Sequence, residues 1–155
     1  MDKAAVFIDG GYFSYVLKAF GEPKIDFEAF SNKLCENANA ERFRTYYYDC
    51  MPYQSSPPTE EEKERYSRMD RFIISLKKLP RFEVRLGKLG RITRFGQVEF
   101  IQKRVDNLLT VDLVRLSWTG KIHKAILVTG DSDFVPVVEE AKNAGVLTQV
   151  SRLSR

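Results

Sequence analysis

Ala4-Ala5-Val6-Phe7-Ile8 leads into Asp9-Gly10-Gly11, and far along the chain Lys124-Ala125-Ile126-Leu127-Val128-Thr129 leads into Gly130-Asp131-Ser132-Asp133. Both apolar runs are unbroken rather than alternating. That is the pattern of a strand buried on both faces, as in a parallel sheet covered by helices. The first run reads as a strand ending in a glycine turn, followed by a helix from Tyr12 to Phe20 that stops near Gly21 and Pro23. Phe27, Phe30 and Leu34 are spaced for one helix face, and Arg42 to Tyr48 is rich in strand-favouring residues. Met51 to Pro58 contains Pro52, Pro57 and Pro58 and reads as a loop. Thr59 and Glu62 then form a capping box that opens a helix running to Leu79. Phe82 to Leu86 reads as a strand, and Gly87 to Gln102 as a hairpin turning at Arg94-Phe95-Gly96. Helices over Val105 to Trp118 and Phe134 to Asn143, and a strand over Val146 to Val150, complete the reading. Strands alternating with helices predict a three-layer α/β architecture with a mainly parallel central sheet and an inserted β-hairpin.

A chain of 155 residues with 43% apolar and 30% charged residues is expected to form one globular domain over 1–155. No stretch approaches the ~18 apolar residues of a membrane span. The N-terminal apolar run is too short for a signal peptide, and Cys35 and Cys50 make neither a disulfide framework nor a zinc spacing. These features give the expectation of a cytoplasmic protein. Net charge is +4, unevenly spread. Residues 77–104 carry nine Lys or Arg against Glu83 and Glu99, a net of +7, so the remainder is −3. Such a segment suits contact with a phosphate backbone, and it equally suits an edge hairpin guarded against aggregation.

The carboxylates carry the chemistry. Ligands of open parallel sheets gather beyond the carboxyl ends of the strands. If the two apolar strands are neighbours, Asp9, Asp131 and Asp133 converge; the alternative is that Asp9 and Asp131 simply cap helices. Asp112 is a separate matter. At about 100° per residue, Val105, Leu108, Leu109, Asp112 and Leu116 fall on one side of their helix, with Asp112 amid the apolar stripe. An ionised carboxylate facing a core costs several kcal/mol unless it is paired or binds a metal. The nearby strands offer no evident inward cation, which favours the metal over a salt bridge. Asp106 lies on the flank near the start of that helix, as a cap or as a ligand from the rim, and Lys103 just before it is a candidate to hold a phosphate or a carboxylate. Several carboxylates stay ionised together only with a cation among them. An all-oxygen set without Cys or His suits Mg²⁺ or Mn²⁺. Such an ion beside a phosphodiester is a hydrolytic nuclease arrangement.

Val6-Phe7-Ile8-Asp9-Gly10-Gly11-Tyr12, then Lys103-Arg104-Val105-Asp106 with Asp112 six residues on, then Ile126-Leu127-Val128-Thr129-Gly130-Asp131-Ser132-Asp133-Phe134 resemble the NYN, or LabA-like, domain of the PIN-like nuclease superfamily. The resemblance spans residues 4 to about 150, and its most specific segment is Gly130 to Phe134. It implies a Rossmann-like (PIN-like) sheet and a divalent-metal ribonuclease site. By position, Asp9, Asp112 and Asp131 match the core metal ligands, and Asp106 and Asp133 the accessory acids of the catalytic set. Tyr12 departs from the pattern, since many members carry Asn there to position metal or water. The hairpin looks like an insertion that grips RNA. The expected RNA contacts are Lys88, Arg91, Arg94, Lys103, Arg104 and Tyr12, and the expected partner is single-stranded or structured RNA. A homodimer is left open, and no membrane is involved.

Other residues read as structural. His123 is placed at a helix-to-strand junction, the trio Tyr46, Tyr47 and Tyr48 in strand packing, and Phe13 and Trp118 in the core. Ser132 lacks a general base and reads as a cap. Two other functions fit parts of the sequence. One is an RNA-binding or scaffold module of the same fold with a weak or inactive site. The other is a haloacid-dehalogenase-like phosphatase, but Gly11 stands where its second acid is needed.

Overall fold

A computed structural model describes all residues except Arg104, 131–134 and 152–155, with the backbone alone for 88–94, 97–103 and Val135. In chain order the elements are β1 (Asp2–Asp9), α1 (Gly10–Ala19), α2 (Phe27–Asn37), β2 (Ala40–Cys50), α3 (Glu60–Lys77), β3 (Phe82–Arg94), β4 (Gln97–Lys103), α4 (Val105–Thr119), β5 (Lys124–Val128), α5 (Val135–Asn143) and β6 (Leu147–Ser151). The strands lie in the order β4-β3-β2-β1-β5-β6. All pairs are parallel except β3 with β4. The expected α/β architecture, with its parallel sheet and inserted hairpin, is therefore what the chain adopts.

The central strands are apolar throughout because both sheet faces are covered. Ala4 to Ile8 have no exposed surface. Their alternate side chains serve two cores. Ala5, Phe7 and Leu127 pack with Leu109 and Leu113 of α4. Val6, Ile8 and Val128 pack on the other face with Phe13 of α1, Phe27 of α2 and Ile73 of α3. The capping box holds as expected: the Thr59 hydroxyl accepts from the Glu62 amide at 3.1 Å, and a Glu62 carboxylate oxygen accepts from the Thr59 amide at 2.8 Å.

Three local expectations are corrected. No glycine turn follows β1, because α1 begins at Gly10, directly after the strand. The strand expected to end at Leu86 and the first arm of the hairpin are one continuous strand, β3. Trp118 is not core: it is 59% exposed, and its indole N–H donates to Glu140 at 3.3 Å. The tyrosine trio and Phe13 are buried, and His123 precedes β5 with Nδ1 accepting from the Lys3 amide at 3.0 Å.

Candidate active site

The chain builds the sheet from β1 through β2 to β3 on one side, then returns to place β5 and β6 on the other. Strand order therefore reverses between β1 and β5. Open α/β sheets bind ligands at the carboxyl edge of such a switch point. Asp9 stands there as the last residue of β1, with Ile8 level with Val128 of β5. Its Oδ1 accepts from the Tyr12 amide at 3.3 Å, capping α1, and its Oδ2 accepts from the Thr129 hydroxyl at 3.4 Å. Asp9 is thus both a helix cap and a residue of the switch point, and the two readings of it are compatible.

Strand register turns this edge into a row. Arg85 of β3 is level with Tyr48 of β2, and Tyr48 with Asp9 of β1. Asp112 of α4 docks onto the row. Its Oδ2 accepts from the Tyr48 hydroxyl at 2.8 Å and from Arg85 Nε at 3.2 Å. Its Oδ1 accepts from Arg115, one helical turn on, at 2.8 Å. The expectation that no cation reaches Asp112 is overturned. The carboxylate is 5% exposed yet held by two guanidiniums and a phenol, so burial alone no longer argues for a metal there. Burial opposes the charge on Arg85, but Asp112 more than offsets this and fixes its proton more firmly than usual. Burial and then the Asp112 charge push the Tyr48 hydroxyl well above its ordinary range, so it donates and does not ionise.

Asp49 was not anticipated. It is 7% exposed near the end of β2, where its Oδ1 accepts from the Cys50 amide at 2.8 Å and its Oδ2 from the Tyr47 hydroxyl at 3.1 Å. Burial raises its pKa, and the nearby Asp9 charge adds to the rise. Gly10 lies directly over it. A Cβ at position 10 would stand 2.5 Å from Asp49 Oδ2 and 2.6 Å from the Tyr47 ring. Glycine is therefore required here by close approach rather than by a turn. Tyr12 packs against Gly130 in the same manner: a Cβ on Gly130 would lie 2.6 Å from its ring. Cys50, beside Asp49, is no nucleophile, because burial pushes its thiol up to about 11.

Asp106 stands exposed in the first turn of α4, roughly 9 Å along the helix axis from Asp112. Asp131, Asp133 and Arg104 lie outside the described residues, as do the side chains of Lys88, Arg91, Arg94 and Lys103. Among the described residues no three metal-ligating side chains come together. Asp9 and Asp49 are close enough for their charges to interact. A cavity of about 710 Å³ lies between α1, α2 and α3, walled by Phe13, Leu17, Phe27, Phe72 and Tyr47. It is apolar and sits on the face opposite Asp112.

The family model described as the NYN domain matches residues 3–152. The chain belongs to the NYN domain family. That places it within the PIN-like nuclease superfamily and supports an enzyme of the ribonuclease kind. Comparison with curated proteins and with solved structures returns no match. No helix among the described residues of this NYN domain is long and apolar enough to cross a membrane.

Proposed function

We propose that this NYN domain is a divalent-metal-dependent ribonuclease that hydrolyses RNA phosphodiester bonds within the chain. The observation that carries the reading is the adjacency of β1 and β5. It sets Asp9 beside the Thr129-Gly130 segment that leads to Asp131 and Asp133, at the edge where such sheets bind ligands. Mg²⁺ typically binds through one or two carboxylates, with substrate phosphate and water supplying the rest, so an oxygen set built on Asp9 fits. Asp131 is the second ligand by motif, and Asp49 is a described acid close enough to feel the Asp9 charge. The ion, Mg²⁺ or Mn²⁺, would supply a water of lowered pKa and charge for the leaving oxygen. Asp106 and Asp133 are the accessory acids of this reading. Asp112 enters as a positioning residue that orients Arg85 and Arg115. Lys88, Arg91, Arg94, Lys103 and Arg104 hold phosphates, and Tyr12 lines the Gly130 side of the crevice.

Cleavage of mixed RNA and DNA substrates with Mg²⁺, Mn²⁺ or EDTA tests this. RNA is expected to be cut only with metal, and Asp9→Asn and Asp131→Asn each to lower the rate by at least the roughly 10- to 100-fold that loss of an outer-shell partner costs. Wild-type cleavage by Asp9→Asn, or cleavage unaffected by EDTA, would refute it. The full engagement of Asp112 by arginines favours a second reading, an RNA-binding module of the same fold that does not cut. RNA binding without cleavage in Mn²⁺ selects that reading.

A further inference from the structure

Pairing of β3 with β2 ends at Gly87 and Cys50, but β3 continues to Arg94 with β4 as its partner. Because β3 runs parallel to β1 and β2, this two-stranded ribbon leaves the sheet past its carboxyl edge, the edge that carries Asp9. Seven residues of strand carry it about 23 Å. At the tip, Phe95 and Gly96 connect the paired residues Arg94 and Gln97, and their φ angles are 50° and 75°. Two consecutive left-handed residues make the turn that favours Asn-Gly or Asp-Gly. Phe95 departs from that preference, and its side chain is 104% exposed. One residue thus combines a disfavoured backbone with an aromatic ring held wholly in water. Neither feature helps the hairpin close, and strain retained at an exposed position points to a contact made with something else.

The charge around the tip says what that partner is. Arg91 and Arg94 precede the turn, within the segment of nine cations and two acids. An exposed ring in a cation-rich stretch of sequence matches a single-stranded nucleic acid, which offers bases to stack and phosphates to pair in the same few ångströms. We infer that Phe95 is a base-stacking contact: the ribbon tip seats an unpaired nucleobase of the RNA on the Phe95 ring, and the cations behind it hold the flanking phosphates. The contact lies well away from Asp9, so it sets the register of the strand across the edge rather than touching the scissile bond. The inference rests on the ribonuclease reading above.

Phe95→Asn tests it, because Asn suits the turn and removes the ring. The variant is expected to melt at or above the wild-type temperature. It is expected to bind single-stranded oligouridylate about 5- to 150-fold more weakly, and to need correspondingly more RNA for half-maximal cleavage. Phe95→Trp is expected to keep the affinity. In a Trp118→Phe background the indole emission of Phe95→Trp should be quenched by oligouridylate and far less by blunt duplex RNA. If wild type binds and cuts RNA and Phe95→Asn does so equally well, the stacking contact is overturned and the ribonuclease reading stands. If wild type neither binds nor cuts RNA, both fall. If the Phe95→Trp emission answers to anionic lipid vesicles or to protein concentration but not to oligouridylate, the ring serves a different surface and the inference is overturned.

Discussion

Position 10 accepts no side chain, because Asp49 and Tyr47 occupy the space a Cβ would need. Gly10→Ala is therefore expected to cost about 1–3 kcal/mol, lowering the melting temperature by roughly 2–12 °C in a chain of this size. Asp49 gives a pH-dependent counterpart. Burial first, and Asp9 second, raise its pKa in the folded state. A carboxyl so raised favours the protonated native state, so its contribution is full below the unfolded value of about 3.9 and is lost as pH rises through the folded value. At neutral pH the charged Asp49 is destabilising. Asp49→Asn in metal-free buffer is expected to raise the melting temperature at neutral pH, with the gain shrinking as pH falls toward about 4. A gain of constant size across that range would show that Asp49 titrates alike in both states. At this scale the sequence was half legible. Asp9 could be placed from its apolar run alone. Asp112 was rightly placed among apolar neighbours, but its partners were missed. Yet Phe82 and Val84 alternate with Glu83 and Arg85, which put Arg85 on the opposite face, and Arg115 follows at i+3. Asp49 carried no such signal, since its role depends on Gly10 arriving above it from another element.

Elements were more legible than their joints. Each predicted helix and strand forms, because the 3.6-residue period of the helices and the unbroken apolar runs of the central strands both come from burial itself. The joint at Gly87 misled because glycine often ends a strand, whereas here it marks where β3 changes partner from β2 to β4 alone. Trp118 misled because the last turn of α4 carries the ring clear of the core while its N–H finds Glu140. The ribbon makes a claim of its own. Replacing Arg91 and Arg94 together by Gln is expected to weaken binding of single-stranded RNA and reduce the slope of log affinity against log salt by about 1.4. An unchanged slope would leave these cations as guards of an exposed strand edge.

Across the molecule, strand order decides where chemistry can occur. The fold class followed from alternating element types, but the neighbours of β1 could not be read from them. Only the assembled sheet shows β1 with β2 on one flank and β5 on the other. The same winding has a consequence for how a polyanion could come near an acidic edge at all. Helix α1 begins at Gly10, directly after β1, and α5 at Val135, with six residues between it and the end of β5. Helix α4 begins at Val105, just past Lys103, which pairs with Lys88 where the ribbon leaves the sheet. Three helical macrodipoles therefore turn their positive ends toward one rim, each worth about 0.3–1 kcal/mol to a nearby anion. The rim is thus an electrostatic mosaic, with helix N-termini favouring an anion that Asp9 and Asp49 on their own would repel.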